Sequence, residues 1–337
     1  MDMGALLADQ LDRLLRGLDG SARMQAEEQG AGALGLASEL ADLGLGAALV
    51  SEARGGAGLG WRDLAPVFLT LGYHAAPVPL GETIVAHWAM DLLSQPDGDE
   101  VPGIALGRLS GGARVSGRVQ VPWRSAVGRI LATLDDGRLA LIDASGADAA
   151  PLRTIGRDPA LRLVLADAPV VAVGGSGPLG LEGAMALLRS AQIAGALSRI
   201  LELSIEYGNT RVQFGRPIGK FQAVQHLIAG LAGEAACARA AVDLAFAAAD
   251  RGAGWETVAV AKIRTSLAVP KSTFAAHETH GAIGVTEEHV LHYFTRRLMQ
   301  WREEAGDEHY WSERLGTAAL ERNGAGLWPM IVGLSGG

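Results

Sequence analysis

The sequence predicts an α+β protein in which a small antiparallel β module lies between two helical modules. Apolar residues recur at three- and four-residue spacing in the first hundred residues and again over the last half of the chain, which is typical of helices. Between these parts the pattern becomes short and alternating, as in strands with one buried face. A length of 337 residues suits two or three compact modules. The predicted modules are 1–98, 99–175 and 176–337.

The composition indicates a globular chain and excludes several classes of protein. Hydrophobic residues make up 49% and charged residues 20%, so the chain can bury a sizeable core. The net charge of −8 argues against a nucleic-acid binder, which would carry a basic surplus. The one cysteine, Cys237, excludes a disulfide framework and fits a reducing compartment. It lies in a stretch of small residues, where we expect it to pack inside a helical bundle.

The sequence also lacks the signals of export, membrane insertion and metal binding. Asp2 and Asp9 stand where a secretory signal needs positive charge, and no run of about 18 uncharged apolar residues occurs. The eight histidines show no paired-ligand spacing. We therefore expect a soluble cytoplasmic protein with no metal.

In the N-terminal module, leucines share one stripe of a first helix: Leu6, Leu7, Leu11, Leu14, Leu15 and Leu18. A second helix is predicted over 34–45. Asp63 is the predicted N-cap of a third helix that ends near His74. A fourth is predicted over 82–94.

In the middle module, four strands are predicted, over 114–121, 129–134, 138–143 and 162–167. The Asp-Asp-Gly sequence at 135–137 predicts a hairpin turn between the second and third of these strands.

Long helices are predicted in the C-terminal module. The first covers 178–209 and is apolar on all sides, which indicates burial between other helices. Pro217 suits the first turn of the second, which continues to about Arg251. A third is predicted over 255–280, and two shorter helices follow to about Arg322.

The most informative motif lies at the predicted connection between the first two long helices. Arg211, Gln213, Phe214 and Gly215 fall in this connection, with Gln222 one to two turns into the next helix. Such a connection can offer a planar bidentate cation to a diphosphate, an aromatic face beside it, and an amide for a ribose or a ring edge. By periodicity alone, a plain helix–loop–helix turn with an exposed arginine is the simpler interpretation.

The order of residues in this stretch resembles the flavin-binding signature of the acyl-CoA dehydrogenases, roughly R-x-Q-F-G-x-x-I-x-x-F-Q. The segment 43–60 resembles the family's N-terminal glycine-rich turn, and 71–80 resembles the helix end that follows it. The segment 280–289, His-Gly-Ala-Ile-Gly-Val-Thr-Glu-Glu-His, is similar to the family's HGGIGFTWEH loop. Four motifs in the family's order extend the resemblance over most of the chain.

The resemblance implies FAD as cofactor and an acyl-CoA thioester as substrate. In this family the inter-helix junction of one subunit reaches the adenosine diphosphate half of its neighbour's FAD. Arg211 would contact the pyrophosphate, Phe214 would pack on the cofactor, and Gln222 would hydrogen-bond it. The full implied set of cofactor-contact residues is Arg211, Gln213, Phe214, Gln222, Glu278, Gly281 and Gly284. Three residues before the first loop glycine the family has a glutamine, and this chain has Glu278. A carboxylate near a diphosphate is unfavourable unless it is paired or turned away.

The implied reaction needs a carboxylate that removes the proton α to the thioester in a water-poor pocket. The family's two usual positions for this glutamate fall on Ala305 and Met185. Glu304 is adjacent to the first, and a one-residue shift would make it the base, although Glu303 and Glu304 also fit a solvated helix end. Glu182 lies one turn before Met185 and fits an acid favoured by the helix dipole.

The middle module departs from the family as well. The family's flavin-ring loop and W-x-T segment correspond to 101–112 and 121–125 of this chain, where only Trp123 and Ser125 are similar. The cofactor-contact motif is kept, whereas the residues expected for the catalytic base and the flavin ring are missing. This combination resembles the hetero-oligomeric acyl-CoA dehydrogenases of bacterial steroid catabolism, in which two unlike subunits share one FAD. We predict the half-site subunit of an α2β2 enzyme that acts on a bulky acyl-CoA, with an electron-transferring flavoprotein as the family's usual acceptor.

Two alternatives stay open from the sequence. One is a self-sufficient homo-oligomeric dehydrogenase that uses Glu304 as its base. The other is a flavin-free scaffold or acyl-CoA-binding partner.

Overall fold

Helices, then strands, then helices follow one another along the chain, in the predicted order. The structure is a computed structural model that describes residues 3–16, 36, 40, 43–96, 100–124, 126–252 and 254–334. Within these ranges no helix combines the length and apolar character needed to cross a membrane.

The N-terminal helices pack through leucine-rich faces. Their bounds are Met3–Leu15 (α1), Trp61–Tyr73 (α2) and Leu80–Leu92 (α3). Asp63 is not the N-cap of α2, because Gly60 precedes the first helical residue and Asp63 lies in the first turn. From there its carboxylate accepts a hydrogen bond from the Gly60 N–H at 3.1 Å. Most of the helix predicted over 34–45 lies outside the described residues.

Within the described residues, six strands of the middle part form one sheet. Their bounds are Gly103–Gly111 (β1), Arg114–Pro122 (β2), Arg129–Leu134 (β3), Leu139–Asp143 (β4), Asp148–Pro151 (β5) and Ala160–Gly174 (β6). The strand order is β2-β1-β3-β4-β6-β5, and β2 also pairs with β6, so the sheet closes on itself. The 15-residue β6 makes closure possible, because it pairs with β2 over its first part and with β4 over its last. The predicted turn at 135–137 joins β3 to β4.

The prediction of an antiparallel module is wrong at one pair, because β1 runs parallel to β3. Neither β1 nor β5 was predicted. Gly103, Gly107 and Gly111 interrupt β1, and glycine within a strand resembles a loop in sequence. Strand β5 has four residues and is largely exposed, so it carries no alternating apolar signal.

Within the described part of the chain, six helices follow the sheet. Their bounds are Gly180–Thr210 (α4), Gln222–Asp250 (α5), Trp255–His280 (α6), Leu291–Glu303 (α7), Glu308–Glu321 (α8) and Asn323–Leu334 (α9). Helix α4 is buried over most of its length, as its apolar composition predicts. Helix α5 begins five residues later than predicted, because Val212–Gln213 (β7) and Arg216–Pro217 (β8) form a small hairpin and Ile218–Lys220 a 3-10 turn. Cys237 is exposed on α5, so the expectation that it packs inside the bundle is wrong.

Two glycines set how closely α4 approaches α2. A Cβ atom added to Gly72 would lie 2.0 Å from the Gln192 carbonyl oxygen, and one added to Gly195 would lie 2.0 Å from the Leu69 carbonyl oxygen. The two backbones therefore touch where no other residue would fit. This contact fixes the start of α4 beside the sheet and α3, where the candidate site lies.

Candidate active site and cofactor junction

A cavity of about 580 Å³ lies where the sheet meets the helical bundle. Strands β1 and β2 form one wall, together with the segment 152–155. The start of α4 and the corner 303–306 between α7 and α8 form the other. The cavity therefore draws its walls from the middle and C-terminal parts of the chain.

Both positions that the resemblance assigns to the catalytic base line this one cavity. Met185 is buried on α4, and Ala305 lies in the corner after α7. Ala305 has a φ of 57° and Gly306 a φ of 84°, so the chain turns sharply here. The Trp311 indole N–H donates to the Ala305 carbonyl at 2.8 Å and holds the turn. Two positions far apart in sequence thus meet, and neither carries a carboxylate.

Glu304 also lines the cavity, but its carboxylate is engaged. One oxygen lies 2.6 Å from the Arg189 guanidinium, and the other accepts a hydrogen bond from the Gln300 amide at 2.7 Å. The Glu304 side chain is 11% exposed. To turn toward a substrate, this carboxylate would have to leave a buried cation without a partner, which is costly and opposes the role of base. Glu303 also lines the cavity, and its half-exposed side chain pairs with Arg302 at 3.2 Å.

Arg189 is the centre of a buried ionic network that the sequence did not predict. It lies on α4 with no exposed surface and contacts Glu82 of α3 at 2.5 Å as well as Glu304. Burial would lower the pKa of the Arg189 guanidinium, but the carboxylates of Glu304 and Glu82 raise that pKa above its ordinary value. The sequence signal was weak, because Glu82 and Arg189 are each one of several charges in their helices and differ only in having mostly small or apolar neighbours.

Lys262 of α6 supports the same corner from the other side. Its ammonium donates to the Arg302 carbonyl at 2.7 Å and to the Ser266 hydroxyl at 3.2 Å. Burial lowers the pKa of Lys262 to about 7, and the field of Glu304 opposes that change. The backbone before Glu304 is therefore anchored by a buried amine that titrates near neutral pH.

Glu182 lies at the edge of the cavity and is engaged too. Arg108 donates two hydrogen bonds to its carboxylate, at 3.2 and 2.7 Å. The Arg314 guanidinium and the Tyr310 hydroxyl each lie 3.3 Å away. Like Glu304, this carboxylate is held by cations.

The predicted cofactor-contact residues of the junction lie together at the other end of α4. Phe214 and Gly215 form the tip of the β7–β8 hairpin, with φ values of 52° and 81°. Phe214 is 90% exposed, and Arg211, Gln213 and Gln222 are exposed as well. Gln222 is the first residue of α5 rather than one to two turns inside it. Among the described residues, none of the four side chains at Arg211, Gln213, Phe214 and Gln222 has a hydrogen-bond partner, so they are available to a group outside the chain.

The loop after α6 places its predicted residues differently. Glu278 is exposed. Gly281 ends α6 with φ 64° and ψ −144°, a conformation that glycine adopts readily. Gly284 is buried, and a Cβ there would lie 3.0–3.2 Å from Leu291, His280 and His277, so its role in this fold is packing.

A FAD molecule has a diphosphate and flat ring systems, and the junction offers a guanidinium, two amides and an aromatic face. These residue types fit the adenosine diphosphate half of the cofactor. The cavity lies at the other end of α4, where Met185 and Arg211 are separated by nearly the whole helix, which corresponds to about 40 Å. One cofactor molecule cannot reach both places in the same chain.

Comparison with known proteins decides the family. The family model described as "Acyl-CoA dehydrogenase, C-terminal domain" matches residues 183–318. Acyl-CoA dehydrogenase IpdE2 of Mycobacterium tuberculosis is 32% identical over 256 residues, which cover 76% of this chain and 77% of that protein. The chain belongs to the acyl-CoA dehydrogenase family. The predicted resemblance is confirmed, and with it FAD as the cofactor and an oxidoreductase activity as the family's function.

Solved structures of acyl-CoA dehydrogenases show the same fold. A Tcur3481–Tcur3483 steroid ACAD variant is 29% identical to this chain with a TM-score of 0.86, and the match covers 94% of this chain and 98% of that one. The ChsE4–ChsE5 complex from Mycobacterium tuberculosis contains a chain that matches with a TM-score of 0.85 at 23% identity, over 95% and 98% of the two chains. These matches confirm the predicted α+β architecture of an acyl-CoA dehydrogenase.

Proposed function

We propose that this chain is the half-site subunit of a heteromeric acyl-CoA dehydrogenase. It pairs with an unlike subunit in an α2β2 enzyme, and the two share one FAD. The reaction is the α,β-dehydrogenation of a bulky acyl-CoA thioester, such as a steroid side-chain derivative. An electron-transferring flavoprotein is the proposed acceptor, and the lone cysteine fits the expected cytoplasmic location.

The observation that carries this proposal is the chemistry of the cavity. Met185 and Ala305 occupy both base positions, and neither can accept a proton. Three acids line the cavity, and Glu304, Glu182 and Glu303 each form an ion pair with an arginine. A cavity with these groups lacks a free carboxylate for the proton α to the thioester.

The cofactor junction supports sharing. Arg211 and Phe214 are exposed and lie about 40 Å from the cavity of their own chain, given the length of α4. A FAD held by this junction therefore has its flavin ring in a neighbouring subunit. There the cofactor supplies the hydride acceptor, while this chain binds and orients its diphosphate half.

An exposed apolar face on α6 supports the presence of a partner. Val260, Leu267 and Phe274 are exposed at seven-residue spacing, which places them on one side of the helix. Apolar side chains aligned in this way are typical of a surface covered by another subunit. The structural relatives named as a steroid ACAD and as a two-protein complex agree with an unlike partner.

The deciding experiment is the flavin content of the chain, measured by visible absorbance after denaturation, alone and after co-purification with its native partner. We expect almost no FAD on the chain alone and about one FAD for each pair of unlike subunits. One FAD for each isolated chain, with acyl-CoA-dependent reduction of a dye, would instead establish the self-sufficient enzyme. A chain that stays colourless even in its complex would establish the flavin-free scaffold.

A further inference from the structure

A second cavity lies between the start of α3 and the sheet. It has a volume of about 160 Å³ and is lined by residues of α3, β1 and the segment after β2, including Glu82 and Trp123. Glu82 therefore belongs to the small cavity, and Glu304 to the large one. The same nitrogen of Arg189 contacts both carboxylates, at 2.5 and 2.6 Å. Arg189 itself lines neither cavity, so one buried guanidinium joins a lining carboxylate of each.

This bridge is rigidly held. Arg189 donates a hydrogen bond to the Gln192 side chain at 2.6 Å, one turn along α4. Gln300 donates to Glu304 and accepts from the Gly156 N–H, each at 2.7 Å, so the Glu304 side is tied to the connection between β5 and β6. An apolar chain that crossed here would have to separate buried ions and leave them without partners, which costs far more than burying a few methylenes gains.

We propose that the Glu82–Arg189–Glu304 bridge is a charged partition that closes the inner end of the large cavity to the acyl chain of a CoA thioester. Arg189 thereby limits the acyl length that this chain accepts. Without the three charges, the two cavities would join along the path of the Arg189 side chain. The inference rests on the proposed function only in taking acyl-CoA as the ligand of the cavity.

The test measures binding of butyryl-, octanoyl- and dodecanoyl-CoA to the full chain by isothermal titration calorimetry. Each buried methylene raises affinity by about fourfold, so affinity rises with length while room remains. For the wild type we expect no further rise between octanoyl- and dodecanoyl-CoA. A continued rise through dodecanoyl-CoA in the wild type would overturn the partition without any variant.

The matching variant removes all three charges and shortens the side chain at position 189, as Glu82→Gln, Arg189→Ala and Glu304→Gln, so that no buried ion loses its partner and the path is opened. We expect it to bind dodecanoyl-CoA at least tenfold more tightly than the wild type, with butyryl-CoA binding changed by less than twofold. Arg199→Met, on the same helix and outside both cavities, is the control and should leave the series unchanged. If the triple variant folds but binds dodecanoyl-CoA no more tightly than the wild type does, the partition is refuted. The same holds if neither protein binds dodecanoyl-CoA.

Flavin content is measured on the same samples, so the two proposals can fail separately. One FAD for each wild-type chain would overturn the half-site function while the length series still tests the partition. If affinity does not rise with acyl length in either protein, and the chain alone carries no FAD, only the partition is overturned.

Discussion

At the scale of single residues, the partner of a carboxylate decides what that carboxylate can do. Glu304 lies in the cavity where a base is needed, one residue from the family's position. Its carboxylate lies 2.6 Å from the buried guanidinium of Arg189. The side chain is therefore better suited to holding Arg189 than to exchanging a proton with substrate.

This pairing gives a prediction for Glu304→Gln in the complex with the partner. Because the half-site chain supplies no base, we expect kcat to stay within about threefold of the wild type, whereas loss of a general base lowers kcat by about 10²–10⁴. Steady-state turnover of acyl-CoA measures the difference. A fall in kcat as large as that caused by loss of a general base would make Glu304 the base and favour the self-sufficient alternative.

Arg211 gives a second prediction at the same scale. We expect Arg211→Ala to weaken FAD binding by the complex by about 1.5–3 kcal/mol, the range of a hydrogen bond to a charged group. Flavin retained after gel filtration, or the dissociation constant from flavin fluorescence, measures this. The control is Arg138→Ala, a partly exposed arginine of the β3–β4 turn. Equal flavin occupancy in both variants would remove Arg211 from the cofactor site.

Lys262 predicts how stability changes with pH. Its pKa is about 7 in the fold and 10.5 for an ordinary lysine, so between these values the unfolded chain binds a proton that the folded chain does not. The free energy of unfolding therefore rises with pH in this window, by about 2 kcal/mol from pH 7 to 9. Urea unfolding at the two pH values should show this rise in the wild type and in the exposed control Lys271→Met. Lys262→Met should lack it, and an unchanged rise in that variant would assign the effect to other groups.

At the scale of elements, the contact between α2 and α4 depends on the absence of side chains. A methyl group on Gly195 would lie 2.0 Å from a backbone oxygen, and backbone cannot move aside as a flexible side chain can. The inter-helix distance, and with it the position of the cavity wall on α4, is therefore set by two glycines.

We expect Gly195→Ala to lower the free energy of unfolding by about 1–3 kcal/mol through overpacking. The matched control is Gly233→Ala on α5, where an added Cβ meets no atom within 4 Å. There the better helix propensity of alanine should raise stability by up to about 1 kcal/mol. Chemical denaturation compares the two variants, and changes of the same sign would refute the close-contact argument.

The junction hairpin is a second feature at this scale. The pattern predicted a simple connection between two helices, but β7 and β8 pair across a tip with two residues in the left-handed region. Phenylalanine at such a φ is uncommon, and the pairing compensates for its cost. The result is an aromatic ring that projects away from the bundle toward the predicted partner.

At the scale of the whole molecule, buried ions tie the three parts of the chain together. Glu82 comes from the N-terminal helices, Asp158 from the segment before β6, and Arg189 and Arg297 from the C-terminal helices. The Arg297–Asp158 pair has a distance of 2.7 Å, and both side chains are buried. Loss of one member leaves the other as a buried charge in a poorer environment.

We therefore expect Arg297→Met to destabilise the chain by about 3–5 kcal/mol. Arg114→Met, which removes one member of an exposed pair with Asp167, should cost at most about 1 kcal/mol. Hydrogen exchange should also show faster exchange of the segment 152–158 in the first variant. Equal stability of the two variants would mean that the buried pair contributes no more than a surface pair.

Much of the architecture could be predicted because its signals are local. The helix over 255–280 and the strand over 129–134 were predicted at their observed bounds, since an apolar repeat and the residues that end it lie within a few turns. The starts of α2 and α5 were misplaced, because a capping glycine and a two-residue strand leave little trace in a pattern. The cofactor roles of the seven junction and loop residues remain predictions.

By itself, the sequence determined the order of helices and strands, the four motifs of the family, and the absence of a carboxylate at positions 185 and 305. Only the tertiary structure decided that these two positions share a cavity, that Glu304 and Glu182 are bound by arginines, and that Arg189 joins Glu82 to Glu304. The physical reason is the distance along the chain over which each kind of interaction acts. Periodicity and capping act between neighbours along the chain, whereas an ion pair between α3, α4 and the end of α7 exists only once those elements have packed.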